Sequence, residues 1–186
     1  MSASPNSIPT SLADKEKLLS LLCESRQRFL LSFQGVTDQQ SRLHPAEGKW
    51  SILDTVEHLT VAERILLGLV AETRRPRAAT AANREEIFLR AVADRSRKSE
   101  APEGARPKGR FANLEEARVQ FEAARQDTMR FLEESDEDLR ATEVTHPHPL
   151  AGVVTTYEML IIIAKHAERH ALQIEEIKKS AAEDRG

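Results

Sequence analysis

Cysteine, aromatic residues and long apolar runs are all scarce in this sequence of 186 residues. Cys23 is the only cysteine, which excludes an internal disulfide and a zinc site built from several thiolates. The longest strongly apolar run, residues 159–164, is far too short to span a bilayer. Residues 1–12 contain neither the basic region nor the apolar region of a signal peptide, so we expect a soluble, cytoplasmic protein.

The net charge and the composition further limit the functional and structural classes to which the protein can belong. The formal net charge of −3 at pH 7 argues against a dedicated nucleic-acid binder. Aromatic residues make up 4% of the chain and β-branched residues form almost no alternating runs, whereas Ala, Leu, Glu and Arg dominate. Helices favour this composition and strands do not. We therefore predict an all-α fold. The length fits one domain with a substantial core.

Four amphipathic segments, each preceded by a residue that can cap a first turn, are predicted helices. The capping residues are Ser11, Ser51, Asn113 and Thr155. The predicted helices run over about 12–34, 52–75, 114–131 and 155–179. Each carries an apolar stripe at helical spacing, and burying the four stripes together gives a four-helix bundle. The segment 141–152, broken by two prolines and a glycine, is predicted as a loop.

The connection between the second and third predicted helices, 76–110, is long and basic. From 74 to 110 there are eleven Lys or Arg against five Asp or Glu, a local charge of +6. A short helix that starts at Asn83 and buries Ile87 is predicted within it. The connection is long enough for a crossover between parallel helices, and its length is typical of a lid or binding loop. The predicted organisation is a disordered lead-in at 1–10, a bundle domain at 11–180 and a tail at 181–186.

The last predicted helix carries the strongest functional signal. One of its faces collects Met159, Ile162, Ile163, His166, His170, Gln173 and Ile177. His166 and His170 lie at the centre of this apolar face, and His58 lies on the inner shoulder of the second predicted helix. Unpaired buried imidazoles cost on the order of 1–3 kcal/mol each, a cost that a shared divalent ion would remove. Core histidines with ordinary hydrogen bonds are the alternative, and the spacing leaves both open.

The surrounding residues disfavour two kinds of metal centre. A zincin needs a glutamate directly after the first histidine, where this chain has Ala167. A ferritin-like di-iron site needs a glutamate three residues before an inward histidine, where Thr55, Ile163 and Ala167 stand. What remains is a mononuclear site with three neutral nitrogen ligands, which suits zinc, nickel or iron. Gln173 could orient a ligand or a bound water, or bond to the backbone.

Several short motifs together resemble the DinB/YfiT-like superfamily of metal-dependent enzymes. They are Lys49-Trp50-Ser51-Ile52 with His58-Leu59, His148-Pro149-Leu150-Ala151-Gly152, and His166-Ala167-Glu168-Arg169-His170 with Gln173-Ile174. The resemblance spans roughly residues 12–179 and implies an up-down-down-up four-helix bundle. It also implies that His58, His166 and His170 bind one divalent ion, such as nickel or zinc.

The same resemblance implies a function. Characterised members of the family are thiol S-transferases and isomerases that use bacillithiol, mycothiol or glutathione. We therefore expect a metal-dependent S-transferase for a small thiol and an electrophilic small molecule, with a cation of the 76–110 connection binding the thiol's carboxylates. A metal-dependent hydrolase is an alternative, although no carboxylate base is obvious on the inner faces. A non-catalytic bundle that binds metal or a small ligand is another, and a homodimer is the default assembly.

Overall fold

The computed structural model describes residues 10–77, 84–96, 100–148 and 152–183. The helices are α1 (Leu12–Ser32), α2 (Asp38–Ser41), α3 (Ile52–Glu72), α4 (Glu85–Ala91), α5 (Leu114–Glu134) and α6 (Thr156–Glu183), with a 3₁₀ turn at Glu103–Ala105. The strands are β1 (Arg74–Pro76), β2 (Thr142–His148) and β3 (Gly152–Thr155), which form one antiparallel sheet in that order. Within these ranges, no helix combines the length and hydrophobicity needed to cross a membrane.

The four predicted caps begin the four long helices. Their side chains accept hydrogen bonds from the third residue of each first turn. At the start of α6 the capping is reciprocal: the Thr155 hydroxyl accepts from the Glu158 N–H at 3.0 Å, and the Glu158 carboxylate accepts from the Thr155 N–H at 2.9 Å. This contact fixes where α6 begins, and therefore which of its faces carries each histidine.

Side-chain contacts show that α3 and α5 run parallel. Near the middle of both helices, Glu63 pairs with Arg125 at 2.8 Å. Just beyond their C-terminal ends, Arg74 pairs with Glu137 at 3.1 Å. A parallel pair needs a connection that returns along the full length of the bundle, and the long segment between α3 and α5 provides it.

The directions of the other helices complete the topology. The Lys15 ammonium, at the start of α1, donates to the Ser135 carbonyl just after α5 at 2.6 Å, so α1 and α5 are antiparallel. The Lys178 ammonium, near the end of α6, donates to the carbonyl of Ser32 at the end of α1, so these two helices run in the same direction. The order is therefore up-down-down-up, and the predicted four-helix bundle is confirmed.

Helix α6 lies at the centre of the core, packed against both α1 and α3. Every residue from 157 to 164 is at most 4% exposed, and the apolar side chains among them pack in one cluster with Leu18, Leu22 and Val70. A second cluster beyond the histidines contains Phe29 and Phe121. The side of α6 opposite the histidines is also partly covered, since the Ala171 side chain is fully buried. A helix with neighbours on two sides buries more than one stripe.

Three local predictions are corrected by the structure. The second long helix ends at Glu72 instead of near residue 75, because Arg74–Pro76 pairs with β2. The segment predicted as a loop, 141–152, contains strand β2, which pairs with β3; Val144 and Val154 are register partners with buried side chains. In α4 it is Phe88 that is buried, at 6% exposure, while Ile87 is 59% exposed. The predicted cap of that helix, Asn83, lies outside the described residues.

A buried ion pair crosses the middle of the bundle. The Arg125 guanidinium is fully buried and donates to both carboxylate oxygens of Glu63, at 2.8 and 2.9 Å. It also donates to the Leu22 carbonyl and the Ser25 hydroxyl of α1, each at 2.7 Å. The Thr128 hydroxyl donates to Glu63 at 2.8 Å. This network joins three helices and fixes their register, because sliding any one of them would leave a buried charge unpaired.

Replacing Arg125 should therefore be far more damaging than replacing an exposed arginine of the same helix. The Arg125→Met variant leaves the Glu63 carboxylate buried without its partner, and we expect a loss of about 3–5 kcal/mol in the free energy of unfolding. Arg130→Met is the matched control, since Arg130 pairs with Asp127 at the surface, and it should cost less than about 1 kcal/mol. Urea unfolding measures both values, and equal losses would contradict the account.

Candidate metal centre

Three histidine side chains from two helices meet inside the bundle. One ring nitrogen from each of His58, His166 and His170 lies within 4.8 Å of the other two. The Nε2 atoms of His166 and His170 are 2.9 Å apart, and the His58 ring centroid lies 5.3 and 4.8 Å from those of the other two rings. Two nitrogens bound at about 2.1 Å to one ion are about 3 Å apart at right angles. The donor set therefore has the size and chemistry of a site for one divalent ion.

The local sequence explains why the three rings converge. His166 and His170 are four residues apart on α6, so their side chains project from the same face. His58 lies in the second turn of α3, whose start is fixed by the reciprocal cap between Ser51 and Asp54. Because α3 packs against α6 in the opposite direction, the beginning of α3 lies beside the later turns of α6. In the structure, one cluster contains the three histidines that the sequence predicts to share an ion.

Two of the three rings are buried and the third is partly exposed. His58 is 4% exposed and His170 is 5% exposed, whereas His166 is half-buried. The Trp50 ring packs against His58 with 4.7 Å between centroids, which covers the site from the side that precedes α3. A small molecule would therefore approach along the His166 side.

In two of the three rings, a hydrogen bond at Nδ1 keeps the ring proton on the side away from the cluster. The Nδ1 of His58 lies 2.8 Å from the Ala105 carbonyl oxygen, and the Nδ1 of His170 lies 2.9 Å from the Gln173 amide oxygen. An oxygen acceptor requires Nδ1 to carry the proton, so a neutral ring keeps its lone pair on Nε2. This is the arrangement by which proteins orient histidine ligands to a metal. Gln173 was predicted either to orient a ligand or a bound water or to bond to the backbone, and in the structure its amide oxygen is bonded to the His170 ring.

Burial keeps these rings neutral. It lowers the pKa of His58, although the hydrogen bond to Ala105 acts in the opposite direction. Burial also lowers the pKa of His170 well below its usual value, and the neighbouring His166 and His58 lower it further. Neutral imidazole is the form that binds a metal ion, so the electrostatics of the site favour metal binding at neutral pH.

The long connection between α3 and α5 is attached to both α3 and α6 close to the histidines. Beside His58, the buried Glu57 carboxylate accepts from the backbone N–H groups of Lys108 and Arg110 at 2.7 and 3.0 Å, and from the Arg110 guanidinium at 2.5 Å. Beside His170, Arg95 donates to the Gln173 oxygen at 3.3 Å. Glu57 was not predicted as a functional residue. A glutamate on an otherwise apolar helix gives no sign of its partner in the sequence, and only the folded position of the connection identifies it.

Folding of the metal-free protein should weaken as the pH falls below about 6.5. Unfolded histidines titrate near pH 6.5, whereas the folded state holds the pKa values of His58 and His170 lower. Between those values the unfolded chain binds more protons, so stability is lost on acidification, by at most about 1.4 kcal/mol per pH unit for each ring. The carboxyls of Asp14 and Glu85, whose pKa values lie below their usual ones, titrate below this range.

Urea unfolding in the presence of a chelator, between about pH 7.5 and 5.5, measures this dependence. In His58→Gln, which removes one of the two rings, we expect the free energy of unfolding to depend less steeply on pH. A free energy of unfolding that stays level or rises toward the acid end would contradict the description of the site.

Comparisons with known proteins agree with this fold. The family model of the DinB superfamily matches residues 21–174. A solved structure from Bacillus subtilis, that of YfiT, is described as a probable metal-dependent hydrolase with an unusual four-helix bundle topology. It superposes with a TM-score of 0.59 and 16% identity over 97% of this chain and 94% of that one, a likeness that shows the shared fold. No curated protein matches the chain. Since the family model covers most of the sequence, this chain belongs to the DinB superfamily.

Proposed function

We propose that this chain is a metal-dependent enzyme that transfers a small thiol to an electrophilic small molecule, with one divalent ion held by His58, His166 and His170. The observation that carries the proposal is the convergence of three imidazole nitrogens within 4.8 Å at a largely buried point. Nickel or zinc fits this donor set best, and iron is also compatible with it.

The hydrogen-bond directions favour a bound ion over a purely structural cluster. His58 and His170 each direct Nδ1–H toward an oxygen, so in both neutral rings the lone pair on Nε2 faces the cluster. Lone pairs of neighbouring rings repel each other when no proton or cation lies between them. A shared ion satisfies the three rings together, whereas a hydrogen bond between His166 and His170 satisfies only two.

The charge of the site favours a thiolate as the bound partner. Three neutral ligands leave the positive charge of a divalent ion uncompensated, so a bound ion would lower the pKa of a coordinating thiol and hold the thiolate in an open position. Arg95 and Arg169 are half-buried beside the histidines. Arg95 donates to Gln173 of α6, and Arg169 of α6 donates to the Asp94 carbonyl of the connection. Of the two, Arg169 supplies a cationic group for the carboxylates of a small thiol cofactor, since Arg95 is paired with Glu176. In the transfer, the sulfur forms a bond to the electrophilic carbon as the leaving group departs with its electron pair.

A metal-dependent hydrolase is the second candidate, because YfiT is described as a probable one. Hydrolysis is assisted by a free carboxylate that takes a proton from water. The two buried glutamates of α3, Glu57 and Glu63, are both engaged, with Arg110 and with Arg125. This engagement is the reason for preferring thiol transfer. The cytoplasmic location and the homodimer remain predictions.

A metal and activity assay on three proteins tests the proposal: the wild type, His58→Ala and the control His44→Ala. His44 has a 60% exposed side chain and donates from Nδ1 to the Lys49 carbonyl, outside the cluster. We expect one ion per chain in the wild type and in the control. In His58→Ala, which loses a ligand, metal affinity should fall by at least about tenfold.

The same proteins are then incubated with bacillithiol, mycothiol or glutathione and a model electrophile, with and without a chelator. We expect a chelator-sensitive consumption of at least one thiol by the wild type and the control, and none by His58→Ala. Equal metal content in all three proteins would refute the three-histidine site. Metal binding without thiol consumption would refute the transferase, and chelator-sensitive ester or amide cleavage would then favour the hydrolase.

A further inference from the structure

A chain of hydrogen bonds connects the long connection between α3 and α5 to one of the three histidines. The Arg95 guanidinium donates to both carboxylate oxygens of Glu176, at 2.9 and 2.7 Å. It also donates through Nη1 to the Gln173 amide oxygen at 3.3 Å. That same oxygen lies 2.9 Å from the Nδ1 of His170. Arg95 therefore reaches the ring of His170 through a single intervening amide.

The Gln173 amide is a link in this chain of hydrogen bonds that can be turned around. Rotating a glutamine amide by half a turn exchanges its oxygen acceptor and its NH₂ donor in nearly the same space. With the oxygen toward His170, the ring carries its proton on Nδ1 and leaves Nε2 for a metal. With the NH₂ toward His170, Nδ1 would accept, and the neutral ring would carry its proton on Nε2, where it blocks metal binding.

Arg95 removes this ambiguity, because a guanidinium only donates. An NH₂ group facing the Arg95 Nη1 would bring two donors together, so the amide must present its oxygen. We infer that Arg95 is a positioning residue that holds Gln173 in the orientation that keeps His170 in the Nδ1–H tautomer. The inference rests on the proposed metal site and adds a way in which the long connection controls it.

The contrast with His58 shows why His170 needs this control. The partner of His58 is the Ala105 backbone carbonyl, which also belongs to the connection but can only accept. Its tautomer is therefore fixed without further help. His170 relies on a side-chain amide, and the donor that orients this amide comes from another segment of the chain.

The turn that carries Arg95 is itself held in place. The Asp94 carboxylate accepts from the backbone N–H and the hydroxyl of Ser96, at 2.8 and 2.9 Å. The Asp94 carbonyl accepts from the Arg169 guanidinium, whose residue precedes His170 on α6. Arg95 is thus presented to α6 by a defined local structure. A ligand or partner that displaced this turn would release the amide and weaken metal binding.

The inference is tested with Arg95→Ala, Gln173→Glu, the double variant, and Arg90→Ala as a matched control. Arg90 lies on the same connection, its side chain is 85% exposed, and it pairs with Glu86. Gln173→Glu is informative because a carboxylate presents an oxygen in either orientation and does not need Arg95. Zinc affinity is measured by competition with a chromophoric chelator. The tautomer of His170 is read from imidazole ¹⁵N shifts of the metal-free protein.

We expect Arg95→Ala to weaken zinc binding about tenfold and to shift His170 toward the Nε2–H tautomer, with no change in Arg90→Ala. In the Gln173→Glu background, the same substitution should change zinc affinity by less than about threefold. A residue that only held the connection in place would give the same loss in both backgrounds. Such equal losses, or an unchanged tautomer in Arg95→Ala, would overturn the inference. The wild-type zinc affinity compared with His58→Ala reports separately on the metal site itself.

Discussion

The packing of α3 against α6 at His58, His166 and His170 is the contact on which the account depends. Imidazole rings are polar, and burying three of them is costly unless each nitrogen has a partner. The Ala105 carbonyl and the Gln173 amide provide partners at Nδ1 for two rings. The remaining nitrogens face each other within 4.8 Å, an arrangement in which one cation lowers the energy of all three.

The rest of the bundle holds this contact in register. An apolar cluster lies on each side of the histidines along the bundle, one around Leu160 and one around Phe121. The buried pair of Glu63 and Arg125 fixes α3 against α5. Because α3 and α5 are parallel, their connection has to return along the whole bundle, and it passes both His58 and His170 on the way. The topology therefore brings the segment that orients the histidines to the site.

Much of the fold could be predicted from the sequence, because its signals are local. Caps at Ser11, Ser51, Asn113 and Thr155 and the apolar stripes that follow them depend on residues a few positions apart. The same periodicity puts His166 and His170 on one face. The hairpin at 142–155 was missed, since its two prolines and its glycine are typical of loops, and only pairing with Arg74–Pro76 makes it a sheet.

The partners of the site could not be predicted, because they are distant in sequence. Glu57 and His58 bind residues about fifty positions away, and Arg95 binds Gln173 from another element. A charged residue in a long basic segment has many possible partners, and the sequence does not distinguish them. The path of the backbone decides which partner it meets. The +6 charge of the connection predicted cations near the site, but only the structure identifies Arg95 as the one that contacts α6 beside His170.

X-ray absorption spectroscopy of the zinc- or nickel-loaded protein tests the central claim most directly. Its fine structure reports the number and type of atoms bound to the ion, together with the outer-ring scattering of imidazole. The account predicts three imidazole nitrogens at about 2.0–2.1 Å in the zinc protein, and two in the His58→Ala variant. A coordination shell of carboxylate or water oxygens with no more than one imidazole, or a shell unchanged by His58→Ala, would contradict it.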